Sequence, residues 1–212
     1  MMGLNTVVLG EGGLGFAAEV ILRGGLVAVP TETVYGLACN GLDADAVARL
    51  YEVKGRPAAK PISLLVPDLG VVGSVCDGIP VSARRLAEAF WPGPLTIVLR
   101  HNGAVPGIVT AGGCTVGIRC PDHPLALGLL RLAGVPLAAP SANVSGMPSP
   151  TCAGEVLAYF DGKIDCVIDG GLCALGVEST IVDLSGAQCS ILRLGALSEV
   201  EILDAIGEAG DY

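Results

Sequence analysis

The sequence predicts an α/β fold, a twisted mixed sheet with helices packed on its faces. Three observations carry this. Short apolar runs rich in Val, Ile and Leu recur along the whole chain, and stretches with helical spacing and recognisable caps lie between many of them. The third is punctuation: 31 glycines and 14 prolines separate these segments without gathering into a linker or a low-complexity tract. No internal repeat or break in composition divides the 212 residues, so one domain spanning 1–212 is expected, long enough to bury a substantial core.

Taken in order, strand-like runs fall at 26–29, 62–66, 95–99, 116–118, 135–138, 179–183 and 191–194. Asp43 is placed to cap a helix on which Val47, Leu50, Tyr51 and Lys54 follow helical spacing. A helix from Ser82 to Phe90 pairs Leu86 with Phe90 at i,i+4, and Trp91-Pro92-Gly93-Pro94 stops it. Asp122 with Pro124 opens another that ends near Gly134, and Ser149-Pro150 opens the next. Ser198 with Glu201 makes a capping box for a C-terminal helix over 197–212. The last fourteen residues of the chain hold five acids and no cation, which reads as a solvated face.

Composition narrows the function. Hydrophobic residues make up 51% of the chain and charged ones 16%, which excludes intrinsic disorder. Mean hydropathy is +0.65, yet the uncharged stretches 132–154 and 101–118 are interrupted by Pro, Gly, Ser, Asn and Thr, so neither forms a spanning helix. The first cation is Arg23, which argues against a secretory leader, and a cytoplasmic protein is expected. Eight cysteines show no Cys-x-x-Cys spacing and are read as reduced, structural thiols.

Against a net charge of −9, Lys54, Arg56 and Lys60 stand within seven residues with no acid between them. Such a cluster suits an anionic ligand, Arg56 as a fork and the lysines as compact charges. A helix dipole also accounts for Lys54, though not for Lys60 beyond Pro57. Pro30-Thr31-Glu32-Thr33-Val34-Tyr35-Gly36-Leu37 follows an apolar strand and gathers donors and acceptors where α/β folds place ligands; an ordinary turn has the same composition. Arg119 ends the run Thr115-Val116-Gly117-Ile118-Arg119 in a region otherwise free of charge, as a ligand group or a surface residue. Between Ala139 and Pro150, small hydroxyl and amide groups including Ser141, Asn143 and Ser149 lead into a helix, whose N-terminus attracts anions. Arg193 ends a further strand in a region poor in cations.

Other chemistries find no footing. His101 and His123 are isolated, Ser141 lacks a Gly-x-Ser-x-Gly elbow, and no metal-ligand spacing is present. Cations, hydroxyls and backbone amides without an acid–base pair suit phosphoryl or nucleotidyl transfer, where positioning and charge neutralisation do most of the catalysis.

In order, the segments Pro30 to Leu37, Lys54-Gly55-Arg56-Pro57-x-x-Lys60-Pro61, Trp91-Pro92-Gly93-Pro94-Leu95-Thr96, Gly117-Ile118-Arg119-x-Pro121, Ser141-Ala142-Asn143-x-Ser145-Gly146, Gly176-Val177-Glu178-Ser179-Thr180 and Arg193-x-Gly195 span about residues 18–196. Together they resemble the YrdC/TsaC family of threonylcarbamoyl-adenylate synthases. The resemblance implies a single α/β domain around a concave, positively charged groove, without the extra C-terminal domain of longer relatives. It implies condensation of L-threonine, bicarbonate and ATP into threonylcarbamoyl-AMP with release of pyrophosphate, Mg2+ accompanying ATP. A threonylcarbamoyl transferase complex then modifies adenosine 37 of tRNA.

By the same resemblance, Thr33, Arg119 and Ser179 hold threonine. Arg56, Lys60, Thr115, Ser141, Ser149 and Arg193 hold ATP, and Lys54 and Asn143 complete the Lys-x-Arg and Ser-x-Asn pair. Leu65 replaces a histidine and Ala139 a hydroxyl residue found at the threonine site of some members, so threonine selectivity is the open part of the assignment. Arg119 is expected to grip the threonine carboxylate bidentately. Two other readings are carried forward: a double-stranded RNA or tRNA-binding module without catalysis, which twelve cations in an acidic chain disfavour, and a paralogue using another carbamate acceptor.

Overall fold

The computed structural model describes residues 5–207. Among them, strands β1 (Val7–Leu9), β2 (Val27–Val29), β3 (Gly36–Asn40), β4 (Leu64–Leu65), β5 (Leu95–Arg100), β6 (Thr115–Arg119), β7 (Leu137–Ala138), β8 (Cys166–Ile168), β9 (Thr180–Asp183) and β10 (Ser190–Arg193) form one sheet, ordered β1-β8-β2-β3-β7-β4-β6-β5-β9-β10. The sheet is mixed: β4 and β5 run parallel to β6 and β9 respectively, while β5–β6 and β9–β10 are antiparallel. Helices α1 (Leu14–Leu22), α2 (Ala44–Lys54), α3 (Val81–Phe90), α4 (Pro124–Ala133), α5 (Ala153–Phe160) and α6 (Glu199–Ile206) pack on it.

The two faces are covered unequally. One carries the larger core, where Leu37, Leu64, Leu95, Ile97, Ile118 and Val182 meet apolar side chains of α2, α3, α5 and α6. On the other face, α1 and α4 pack Ile21, Leu125, Leu129 and Leu130 against Val27, Val29, Ala38, Leu137 and Ile168. That second layer reaches Leu65 on β4 and goes no further among the strands. Over β6, β5, β9 and β10 the same face is therefore left uncovered by helices. Since strand residues alternate between faces, polar side chains placed there escape both cores.

The expected helix signals hold at three places. The Asp43 side chain accepts from the backbone N–H groups of Asp45 and Ala46, Ser198 and Glu201 form a reciprocal capping box, and Gly134 ends α4 in the left-handed conformation. Elsewhere the structure departs from expectation. His123, not Asp122, caps α4, its Nδ1 accepting from Leu125 N at 3.2 Å. Ser149-Pro150 does not open a helix; α5 starts at Ala153, because Ser149 Oγ donates instead to Glu178. The runs at 62–66 and 135–138 narrow to Leu64–Leu65 and Leu137–Ala138. Helix α1 and strands β1, β3 and β8 had no predicted counterpart: β1 and β8 are three residues each, and β3 begins inside the polar segment at Gly36. Of the acidic C-terminal stretch, Glu199–Ile206 is helical, and its last five residues lie outside those described.

The β9–β10 pair is closed by a backbone packing point. Thr180 Oγ1 accepts from Gly195 N and Leu197 N, both at 3.0 Å, and donates to Leu197 O at 2.7 Å. This draws Gly195 so close that a Cβ there would stand 2.2 Å from Glu178 O and 2.6 Å from the Ser179 carbonyl carbon. Backbone cannot yield as a side-chain tip does. Gly195→Ala is therefore expected to destabilise the fold by about 2 kcal/mol or more, read as a lowered urea midpoint at unchanged slope; an unshifted midpoint contradicts the packing.

Candidate active site

The uncovered part of the sheet forms the floor of a hollow of about 320 Å³, near the lower end of the range roughly 300–1,000 Å³ seen for small-molecule pockets. Register builds that floor. Arg193 on β10 lies opposite Ile181 on β9, Ile181 opposite Thr96 on β5, and Arg119 on β6 opposite Leu65 on β4. All five residues line the hollow. Its walls come from the segment after β2 (Thr31, Thr33 to Gly36), from Ala139, Pro140 and Ser141 after β7, from Arg56 with Pro61, Ile62 and Ser63, and from Glu178 with Ser179.

Arg119 is 7% exposed, and its charge is met by Glu32, 8% exposed, with Nη2 and Oε1 2.7 Å apart. Nη2 also donates to Thr33 Oγ1 at 2.9 Å, and Nε donates to Gly93 O at 3.2 Å. The second oxygen of Glu32 accepts from Asp122 N at 3.1 Å. Thr33 is itself held by Thr31, whose Oγ1 lies 2.9 Å from Thr33 Oγ1 and donates to Val34 O at 2.7 Å. Among the described residues, Nη1 of Arg119 has no hydrogen-bond partner. Nη2 and Nε are thus engaged within the protein, which leaves Nη1 available.

Arg193 repeats the pattern nearer the surface. Nη1 pairs with Glu178, while Nε and Nη2 donate to Ser179 O at 3.1 and 2.8 Å. Ser179 Oγ lies 2.9 Å from Thr96 Oγ1 and accepts from Arg193 Nη2 at 3.2 Å. Ser149 Oγ donates to Glu178 at 2.9 Å. These side chains are about 40% exposed, so this ion pair contributes little to stability and exchanges readily. Two of the three lining arginines thus carry their own carboxylates, which tempers the positively charged groove that the family resemblance implied.

Arg56 follows Gly55, the left-handed cap of α2, and donates to Lys60 O at 3.1 Å and Pro61 O at 2.7 Å. It has no carboxylate partner among the described residues. Lys60 is exposed and outside the lining. Lys54 is 2% exposed and lies beneath the hollow rather than in it. Its Nζ donates to the carbonyl oxygens of Ser141 and Asn143, the latter at 2.6 Å, pinning the turn that presents Ser141. Burial lowers its pKa to about 7, with Arg56 acting in the same direction and Glu178 opposing. Asn143 is buried; its Oδ1 accepts from Ser141 Oγ at 2.5 Å and its Nδ2 donates to Met147 O at 2.6 Å.

Of the residues singled out in the sequence, Thr33, Arg56, Leu65, Arg119, Ala139, Ser141, Ser179 and Arg193 line one hollow. Lys54, Asn143 and Ser149 lie outside its lining, while Thr115 shares the strand face of Arg119 about 13 Å away along β6. Glu32, Glu178, Thr31 and Thr96 were not assigned roles from sequence. The demand of buried or clustered arginines for counter-charge is the signal that points to the two acids. Among the described residues no cluster of His, Cys, Asp or Glu could hold a metal ion. The eight cysteines are free thiols, and burial pushes those of Cys39 and Cys166 up to about 12.

The chain is similar to known proteins over most of its length. A family model for Sua5, YciO and YrdC, described as "Telomere recombination", matches residues 19–195. The chain is 50% identical to a threonylcarbamoyl-AMP synthase of Pyrococcus abyssi and 44% identical to one of Bacillus subtilis, matching 91% and 90% of this chain and 56% of each relative. It thus spans about half the length of these curated relatives. The crystal structure of P. abyssi Sua5 complexed with L-threonine superposes with a TM-score of 0.93 at 46% identity, over 96% of this chain and 62% of that one.

The state of Lys54 has a thermodynamic consequence. Its folded pKa, about 7, lies below the ordinary value of 10.5, so the unfolded chain holds more protons between those limits. Its contribution to stability therefore rises as pH rises through that window. Lys54→Met abolishes the titration. The difference in unfolding free energy, wild type minus variant, is expected to grow by about 1.5 kcal/mol from pH 7 to 8.5, read by urea denaturation; a flat difference contradicts a strongly lowered pKa.

Proposed function

Given that the chain belongs to the Sua5, YciO and YrdC family, we propose that it condenses L-threonine, bicarbonate and ATP into threonylcarbamoyl-AMP, releasing pyrophosphate. The observation that carries this reading is the meeting of Arg56, Arg119 and Arg193 with the hydroxyls of Thr33, Thr96, Ser141 and Ser179 in one hollow. The threonine complex of the P. abyssi relative supports the choice of amino acid.

The threonine amine adds to bicarbonate with loss of water to give a carbamate. A carbamate oxygen then attacks the α-phosphorus of ATP, the bond to the bridging oxygen breaks, and pyrophosphate leaves. Both partners are anions, so the barrier is dominated by their repulsion and by charge building on the phosphoryl oxygens. Arg119 takes the threonine carboxylate through Nη1, with Thr33 and Ser179 beside it. Arg56 lacks an internal carboxylate and offers its full charge to the phosphates, and Arg193 joins once the nucleotide displaces Glu178. Ser141 donates from the turn pinned by Lys54 and Asn143. A nucleotide triphosphate exceeds the hollow, which gives Lys60, Ser149 and Thr115 outlying contacts to ATP. Leu65 and Ala139 make the threonine side of the wall apolar. Mg2+ would enter with the nucleotide, held largely by its phosphates, and would offset part of their charge. The product passes to a threonylcarbamoyl transferase complex for adenosine 37 of tRNA, in the cytoplasm.

The test is pyrophosphate release from ATP and bicarbonate with L-threonine, L-serine or no amino acid. Threonine-dependent release is expected. Release without threonine, or none at all, contradicts the reading. Arg56→Ala is expected to lower turnover at least about tenfold with the urea midpoint unchanged; unaltered turnover removes Arg56 from the site.

A further inference from the structure

We propose that Glu32 is a positioning residue for the amino-acid substrate, acting through Arg119; the proposal deepens the reading above and rests on it. The observation is the distribution of donors on one guanidinium. Arg119 has five N–H protons. Both on Nη2 are directed into the protein, one to Glu32 Oε1 at 2.7 Å and one to Thr33 Oγ1 at 2.9 Å, and the Nε proton goes to Gly93 O at 3.2 Å. Arg119 lines the hollow, and among the described residues its Nη1 has no hydrogen-bond partner.

Glu32 itself cannot drift. Its second oxygen accepts from Asp122 N at 3.1 Å, and its backbone carbonyl accepts from Leu175 N at 2.8 Å. One residue thus joins the segment after β2, the end of β6, the entry to α4 and the loop before β9. Glu32 does not line the hollow, so it acts on a ligand only by fixing the guanidinium plane. This makes Arg119 a one-edged donor. A bidentate carboxylate clamp would hold an amino acid rigidly by itself; a single edge leaves the amino acid to be oriented by its contacts with Ser179, Thr33 and the Leu65 side of the wall. Glu32 also offsets the charge of Arg119, which leaves the triphosphate to Arg56 and Arg193.

Glu32→Gln tests this. The amide keeps size and one acceptor, but places N–H donors toward Asp122 N and removes the counter-charge, so the guanidinium loses its fixed plane. We expect KM for L-threonine to rise about tenfold while KM for ATP stays within about twofold; the urea midpoint falls, because the buried guanidinium loses its counter-charge, and the assays are run well below it. Calorimetric titration of L-threonine without ATP should show the same loss of affinity. Glu32→Asp, too short to reach both Arg119 and Asp122 N, should fall on the same side. Unchanged threonine affinity in Glu32→Gln overturns the proposal. Equal increases in both KM values overturn it too, since that is the mark of a merely structural residue. Wild-type protein that releases no threonine-dependent pyrophosphate defeats the functional reading itself, and this inference with it.

Discussion

An arginine placed almost out of water, on the floor of a sheet in an acidic protein, sets the terms for the rest of the site. Burying a guanidinium without a partner is prohibitive, and removing one partner of a buried pair is strongly destabilising. Arg119 therefore requires Glu32, Glu32 requires the Asp122 N–H, and Thr33 must turn its hydroxyl inward with Thr31 behind it. The polar segment after β2 is thereby drawn against the end of β6. Arg193 and Glu178 form the looser counterpart, exposed enough for an incoming anion to take the place of the carboxylate.

The hollow exists because the helical cover of the sheet is incomplete. Helices α1 and α4 seal one end of that face and stop at β4, whereas α2, α3, α5 and α6 cover the opposite face. Strand alternation then assigns each residue to a core or to the hollow: Ile97 and Ile118 go inward, Thr96 and Arg119 outward to the site. Lys54 extends this economy below the surface. Its amine satisfies the carbonyl oxygens of Ser141 and Asn143, where an apolar side chain would leave both without a donor.

Much of this was legible in the sequence. Asp43, Gly134 and the Ser198–Glu201 box announce helix ends through local hydrogen bonding, which acts over three or four residues. The arginines and hydroxyls were visible because charge in an uncharged stretch stands out. What escaped reading depends on long-range partners. Ser149 looks like a helix cap, and becomes a donor to Glu178 only because β9 brings residue 178 alongside. Lys54 sits in a cationic cluster by sequence, yet the turn at 141–143 folds over it and makes it a buried pin. Glu32 looked like one polar residue among several, and its partner lies eighty-seven positions away. Strands β1 and β8 pair with each other across most of the chain, and three residues hold too little pattern to declare themselves.

The proposed function requires the amino-acid carboxylate and the α-phosphate to share one hollow, held by different arginines. A crystal structure with L-threonine and a non-hydrolysable ATP analogue tests it most directly. The amino-acid carboxylate is expected on Nη1 of Arg119, with Glu32 still on Nη2 and the α-phosphate in the same hollow beside Arg56 and Arg193. Ligands lodged in separate places, or Arg119 turned away from Glu32 to grip the carboxylate with both nitrogens, would contradict it.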